Sequence, residues 1–218
     1  MKAKNVKTLL GAVLILGPVA LAQAQAPAQD RGWYGGLSVG GSNQRISDTA
    51  LTVSGATSSS LSKDESGTGF KIFAGYHFNR NFALEGGYTD LGKFRVTRDV
   101  SAPAAIAGSA VADMRSTGFN LDAVGVIPLQ GGFSLFGKIG TIYTTTQTSL
   151  ATSGGISAGG ASAKRRDWDW KWGVGASYNF GNGMSLRLEY EDYNDVPNDE
   201  IVGKADLRMW SLGLTRRF

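Results

Sequence analysis

Side chains that could do chemistry are few in this chain, and their spacing argues against catalysis. His77 is the only histidine, so it is the only side chain whose ordinary pKa lies near neutrality. A Ser–His–acid or His–Asp site would need a nucleophile or an activating carboxylate beside it. Here His77 shares one strand face with Lys71, opposite Phe70, Ile72, Ala74, Tyr76 and Phe78, so a satisfied polar residue is expected. There is no cysteine, hence no thiol nucleophile, no disulfide framework and no thiolate metal site. The acidic run Asp192, Asp195, Asp199, Glu200 lacks calcium-loop spacing, and the glycine clusters lack phosphate-loop spacing. No enzyme activity, cofactor or metal is expected.

A second set of charged residues is more regular. Glu85, Asp122, Lys138, Lys171, Arg187 and Glu189 each fall opposite apolar residues in stretches that alternate with period two. Three are acids and three are bases. If that face is enclosed, they must pair, because an unpaired buried charge costs several kcal/mol. Two readings follow: a neutral plug that ties the wall together, or a charged constriction passing ions or very small solutes.

Strands must position these groups. In Trp168–Phe180 the even positions are Trp168, Trp170, Trp172, Val174, Ala176, Tyr178 and Phe180, while the odd ones are Asp, Lys, Gly, Ser and Asn. No helix sorts residues that way. Seven further segments alternate likewise: Trp33–Gly41, Phe70–Phe78, Phe82–Tyr88, Phe119–Ile127, Phe133–Tyr143, Met184–Tyr190 and Trp210–Phe218. Three connections are short, namely Asn79–Asn81, Pro128–Gly132 and Gly181–Gly183, and carry hairpin residues. Four are longer, roughly Ser42–Gly67, Thr89–Ser116, Thr144–Asp167 and Glu191–Leu207, and are expected to be solvated loops. Short and long connections alternate, as eight antiparallel strands with both ends on one side require.

The first residues are an address. Lys2, Lys4 and Lys7 precede an apolar run, Leu9–Ala22, that is Pro-broken and too short to span a bilayer comfortably. Cleavage is expected after Ala24 or Ala26, giving a signal peptide over 1–24 and one domain over 25–218. The leader takes three of the 22 basic residues; nineteen against 18 acidic residues leaves +1 instead of +4, so nucleic-acid binding gains no support. No later apolar run is long enough for a spanning helix, but strands need only ~9–11 residues.

Alternation leaves open which face is inside, because a soluble barrel would bury its apolar face. Aromatics decide. They gather at the short-turn ends (Phe78, Phe82, Phe133, Phe180) and the long-loop ends (Tyr88, Tyr143, Trp168, Tyr190), as two interfacial girdles would. The fold expected is an all-β, eight-stranded, antiparallel, up-and-down transmembrane barrel. It is polar and side-chain-filled inside, in the cell outer membrane, with periplasmic turns and termini and extracellular loops. Basic residues beyond the loop ends (Arg95, Arg98, Arg115, Lys164, Arg165, Arg166, Lys204, Arg208) lie where lipopolysaccharide presents phosphates, although Asp99, Asp113, Asp167 and Asp169 are interleaved.

These residues carry a family resemblance. GFKIFAGYHFNRNFALEGGYTDLGKF (Gly69–Phe94), VIPLQGGFSLFGKIG (Val126–Gly140) and SLRLEYEDY (Ser185–Tyr193) resemble the transmembrane domain of the outer membrane protein A family. WSLGLTRRF, with Trp210, Leu212, Leu214 and Phe218 on one face, resembles the signal read by the barrel-assembly machinery. The resemblance implies passage through that machinery and periplasmic chaperones, and roles in envelope integrity and surface interaction, with an adhesin or receptor as one form of the latter. The chain ends at the last strand, so the peptidoglycan-binding domain of full-length members is not expected. Members are thought to switch a Glu–Arg pair against a second Lys and Glu. Glu85 and Arg187 match the first pair; the other two positions fall on Val124 and Ser177, so an incomplete switch is expected.

Overall fold

A computed structural model describes residues 31–44, 51, 53–156, 161–194, 198–199, 203–204 and 207–218. The expected leader lies outside the described residues. Eleven strands are described: β1 Gly32–Gln44, β2 Ser58–Asp64, β3 Ser66–His77, β4 Phe82–Ala102, β5 Gly108–Pro128, β6 Phe133–Gly154, β7 Ala161–Asn179, β8 Met184–Tyr193, β9 Asn198–Asp199, β10 Gly203–Lys204 and β11 Leu207–Arg217.

Eight of them close a ring. β1, β3, β4, β5, β6, β7, β8 and β11 pair antiparallel in chain order, and β11 returns to pair with β1 from Tyr34↔Arg217 to Gln44↔Leu207. β2 adds to the far end of β4. Closure matters because a spanning sheet with open edges would leave backbone N–H and C=O groups unpaired in hydrocarbon.

Three turns are short and built from Asn and Gly. Asn79 Oδ1 accepts from the N–H groups of Asn81 (2.8 Å) and Phe82 (2.9 Å), and Asn182 Oδ1 from that of Met184 (3.0 Å). Two of the four expected long loops are instead hairpins. β4 continues to Ala102 and β5 starts at Gly108; β6 continues to Gly154 and β7 starts at Ala161. The Thr, Ser and Val of these stretches are strand formers that ladder with one another, from Lys93↔Arg115 to Val100↔Gly108 and from Thr144↔Asp167 to Leu150↔Ala161.

The greasy faces point outward. All five tryptophans are exposed, from 41% at Trp172 to 71% at Trp168, as are Leu37, Ile72, Leu135, Ile139, Leu188 and Leu212. Aromatic pairs ring both ends: Trp33–Tyr76 (5.2 Å between centroids) and Phe133–Tyr178 (4.7 Å) near the short turns, Tyr88–Phe119 (5.3 Å) and Tyr143–Trp168 (5.1 Å) towards the hairpins.

One bulge reverses the inside-outside sense of β4. Up to Leu91, odd-numbered residues face inward (Ala83, Glu85, Thr89); beyond it, even-numbered Phe94, Val96 and Val100 do. The register with β5 shifts between Asp90 and Lys93. Gly92, at φ 93°, absorbs the kink; Asp90 Oδ1 accepts from its N–H (3.0 Å), while Ser42 Oγ donates to Leu91 O (2.6 Å).

Candidate functional site

The lumen is the chemically distinctive part of the molecule. Each of the six expected charges lies on the inward face, and each is buried. Arg187 Nη1 donates to Glu85 Oε2 at 2.7 Å, and its Nε lies 3.0 Å from Glu189 Oε2. Lys171 Nζ donates to Asp122 Oδ2, at 2.8 Å. Lys138 Nζ sits among four carboxylates: Glu191 (2.6 Å), Glu85 (3.5 Å), Asp122 (3.8 Å) and, in direct contact, Glu189.

Two members were not in the expected set. Lys71 pairs with Glu189 at 3.1 Å and contacts Glu191, whose Oε1 also accepts from Lys171 Nζ at 2.8 Å. Both were findable: Lys71 has the inward parity of its strand, and Glu191 continues the Arg187–Glu189 alternation that had been ended one step early. With them the network holds four acids and four bases. Neutral partners complete it: Tyr34 Oη donates to Glu85 (3.0 Å), Asn120 Nδ2 to Asp122 (2.8 Å) and Tyr193 Oη to Glu191 (3.0 Å).

The interior is not polar throughout, contrary to expectation. On the short-turn side of the charges Tyr34, Phe73, Ala83, Val124 and Phe136 form one apolar cluster. The Arg187 guanidinium lies between two of its rings, with Cζ 5.0 Å from the Phe73 centroid and 4.2 Å from that of Phe136. Glycine makes the space: a Cβ on Gly175 would stand 2.3 Å from Phe136 Cζ. On the hairpin side Leu91, Phe94, Val96, Met114, Ile142, Tyr193, Leu207 and Met209 form a second, larger cluster. Its Phe94 and Val96 face inward only because of the Gly92 bulge.

The matched switch positions Val124 and Ser177 each stand across the ladder from a member of the network. Val124 is the register partner of Lys138, and Ser177 that of Arg187. A lysine therefore stands across the ladder from Val124, and Glu189 follows Arg187 by two residues, so the Lys138–Glu189 contact lies beside the Glu85–Arg187 pair.

Among the described residues His77 Nδ1 is buried without a hydrogen-bond partner, and its ring lies 4.8 Å from that of Tyr34. Among the described residues no group of His, Asp or Glu could hold a metal ion, and no helix is long and apolar enough to cross a membrane.

The eight basic candidates beyond the hairpin-side belt separate by face. Arg95, Arg115 and Arg208 point outward but are paired, to Asp113 (2.6 Å), Asp90 (2.5 Å) and Asp192 (3.2 Å). Asp113 and Asp90 hold the Arg95 and Arg115 guanidinium pKa values above their already high ordinary range. Arg165 pairs with Asp167 (2.5 Å), and Arg98 donates to Ser59 Oγ (3.2 Å). Lys164 and Arg166 point outward and are exposed. The side chain of Lys204 lies outside the described residues. Trp210, Leu212 and Leu214 share the exposed face of β11, and Phe218 just beyond it is exposed as well.

A closed antiparallel ring, apolar outside, girdled by aromatics and plugged with charge, defines an integral outer-membrane barrel protein. Residues 12–218 match the model of the outer membrane protein beta-barrel domain family, and the chain belongs to that family. No curated protein matches the sequence. Among solved structures it is similar to Neisserial surface protein A (16% identity, 86% of this chain and 97% of that one, TM-score 0.55). It is also similar to OprG from Pseudomonas aeruginosa (15%, 87% and 96%, TM-score 0.50). A third is the attachment invasion locus protein of Yersinia pestis, solved with the heparin analogue sucrose octasulfate (18%, 86% and 99%, TM-score 0.49).

Proposed function

We propose that the protein is a non-enzymatic structural barrel of the outer membrane, supporting envelope integrity and presenting its long hairpins for surface interaction. The observation that supports this reading is the filled lumen: a neutral layer of eight interlocked charges lies between two apolar clusters. In the same reading the leader is removed after Ala24 or Ala26, and the short turns and termini face the periplasm. Chaperones there deliver the chain to the assembly machinery, which reads Trp210, Leu212, Leu214 and Phe218.

The test is conductance of refolded protein in planar bilayers. Wild type and Glu85→Ala should both be silent; sustained openings of the wild type would overturn the closed-barrel reading. One observation favours a second reading, a narrow gated channel: Glu85 lies between Arg187 (2.7 Å) and Lys138 (3.5 Å), so a small rotation would exchange its partner. That reading requires discrete openings that change in Glu85→Ala or Arg187→Ala.

A further inference from the structure

Across four adjacent strands the antiparallel register aligns cations from β4, β5 and β7, with a glutamine of β6 between them, on the outward face beyond the aromatic belt. Lys93 of β4 pairs with Arg115 of β5, Arg115 with Gln147 of β6, and Gln147 with Lys164 of β7. Arg166, two residues nearer the belt on the same face of β7, stands opposite Thr145. Lys93 reaches this face through the Gly92 bulge; without the reversal its parity would point it into the lumen.

We propose that this row is a binding site for the phosphorylated sugar headgroup of lipopolysaccharide, held by Lys93, Arg115, Lys164 and Arg166. The inference rests on the outer-membrane orientation given above and names a partner for it.

Three observations converge. First, Lys93 and Arg115 are direct cross-strand partners on one exposed face, and like charges so placed destabilise a sheet unless an anion lies between them. Among the described residues Lys93, Lys164 and Arg166 make no ion pair with a carboxylate, leaving four cations against the single carboxylate of Asp90. That carboxylate engages Nη2 of the Arg115 guanidinium (2.5 Å).

Second, the height is that of a headgroup. Arg166 lies two residues beyond Trp168, and Arg115 and Lys164 lie four beyond Phe119 and Trp168. At ~3.3 Å per residue these are roughly 7 and 13 Å past the belt. Successive strands are ~4.8 Å apart, so Arg115 and Lys164, two strands apart, can hold two separate phosphates of one headgroup while Gln147 meets the sugar between them.

Third, the row is one-sided. The matching outward positions of β1 and β3 are Gly41, Asn43, Ser66 and Thr68, and that of β11 is Arg208, already paired with Asp192 at 3.2 Å. An ordinary solvated rim would not collect the unpaired cations of the described residues on one arc. The backbone beneath Arg115 and Gln147 is laddered on both sides, which fixes the spacing at the centre of the row.

The test uses intact refolded protein in phosphatidylcholine nanodiscs doped with diphosphoryl lipid A, with bound lipid counted by native mass spectrometry. The triple variant Lys93→Gln/Lys164→Gln/Arg166→Gln should lose at least about tenfold in affinity, taken as the combined loss of several charge-assisted contacts. Arg208→Gln should stay within about twofold of wild type, and heat-modifiable gel migration should confirm that all three proteins remain folded. Dephosphorylated lipid A, phosphatidylglycerol and a soluble sulfated oligosaccharide are the comparison ligands. Equal binding of dephosphorylated lipid A, or an unchanged triple variant, would overturn the proposal. So would a preference for phosphatidylglycerol or for the soluble oligosaccharide. Whole-cell labelling of a cysteine placed at Ala104, at the tip of the β4–β5 hairpin, reports the orientation independently. Protection of that cysteine would sink the orientation, whereas labelling combined with unchanged lipid A binding would sink the site alone.

Discussion

Replacing Lys138 by Met is the sharpest test of the lumen. The change keeps most of the aliphatic stem and deletes one charge whose side chain is 0% exposed. Four carboxylates then face three cations, and Glu189 and Glu191 each lose a contact. Breaking one partner of a buried ion pair costs about 3–5 kcal/mol, because the partner's charge stays behind without its compensation. At ~1.4 kcal/mol per tenfold, that is about two to three and a half powers of ten in the folding constant. Adding Glu189→Gln restores neutrality, and the pair should recover about 0.5–3 kcal/mol, the range measured for residues in contact. The readout is denaturant unfolding in lipid vesicles, followed by the emission of the five tryptophans, all of which face the lipid. A loss below about 1 kcal/mol in the single variant would mean that water screens the charges and the lumen is not sealed. A double variant as weak as the sum of the singles would refute the pairing.

Four other outcomes are expected. Gly175→Val should abolish the heat-modifiable folded band, because its Cβ would stand 2.3 Å from Phe136 Cζ and 2.4 Å from the Leu188 carbonyl, and the paired backbone cannot retreat. Gly92→Val should destabilise by about 1–3 kcal/mol in the same unfolding assay, since φ 93° is strained for a β-branched residue. Phe218→Ser should lower the amount of assembled protein in outer-membrane fractions while leaving the unfolding midpoint of the refolded protein within about 0.5 kcal/mol of wild type; unchanged assembly would remove Phe218 from the recognition signal. Glu85→Ala should remain silent in planar bilayers and lose about 3–5 kcal/mol of stability, since it removes one of the two carboxylates beside Arg187 and one of the four around Lys138, leaving a buried net positive charge.

What the residues disclosed in advance follows from the physics of alternation. Period two is a strong local signal where one face meets lipid and the other is small and polar, as in Trp168–Phe180, so the lipid-facing parts of the wall were readable. Beyond the belt that contrast weakens, because both faces of a hairpin meet water or each other. Thr144, Thr145 and Thr146 look like loop residues, yet they ladder into β6. The bulge at Gly92 was hidden for a related reason: a lone glycine does not announce a register shift, which the pairing of β4 with β5 creates. Lys71 was visible by parity, but its partner Glu191 lay past the assumed strand end, so the network seemed complete at six.

The bulge links the two halves of the molecule. A single extra residue in β4 sends Phe94 and Val96 into the barrel and Lys93 out onto its surface, so sealing and the exposed cationic row arise from the same reversal. Sealing also requires more than the charged layer. An exchange of Glu85 from Arg187 to Lys138 would conserve charge inside the network, but Arg187 would keep Glu189 at 3.0 Å and both rings. Above it the apolar layer of Leu91, Phe94, Met114, Ile142 and Tyr193 would still stand across the path. An ion crossing that layer would shed water without a replacement ligand, which costs far more than breaking one salt bridge. Rearranging the charges alone would therefore leave this apolar layer in place.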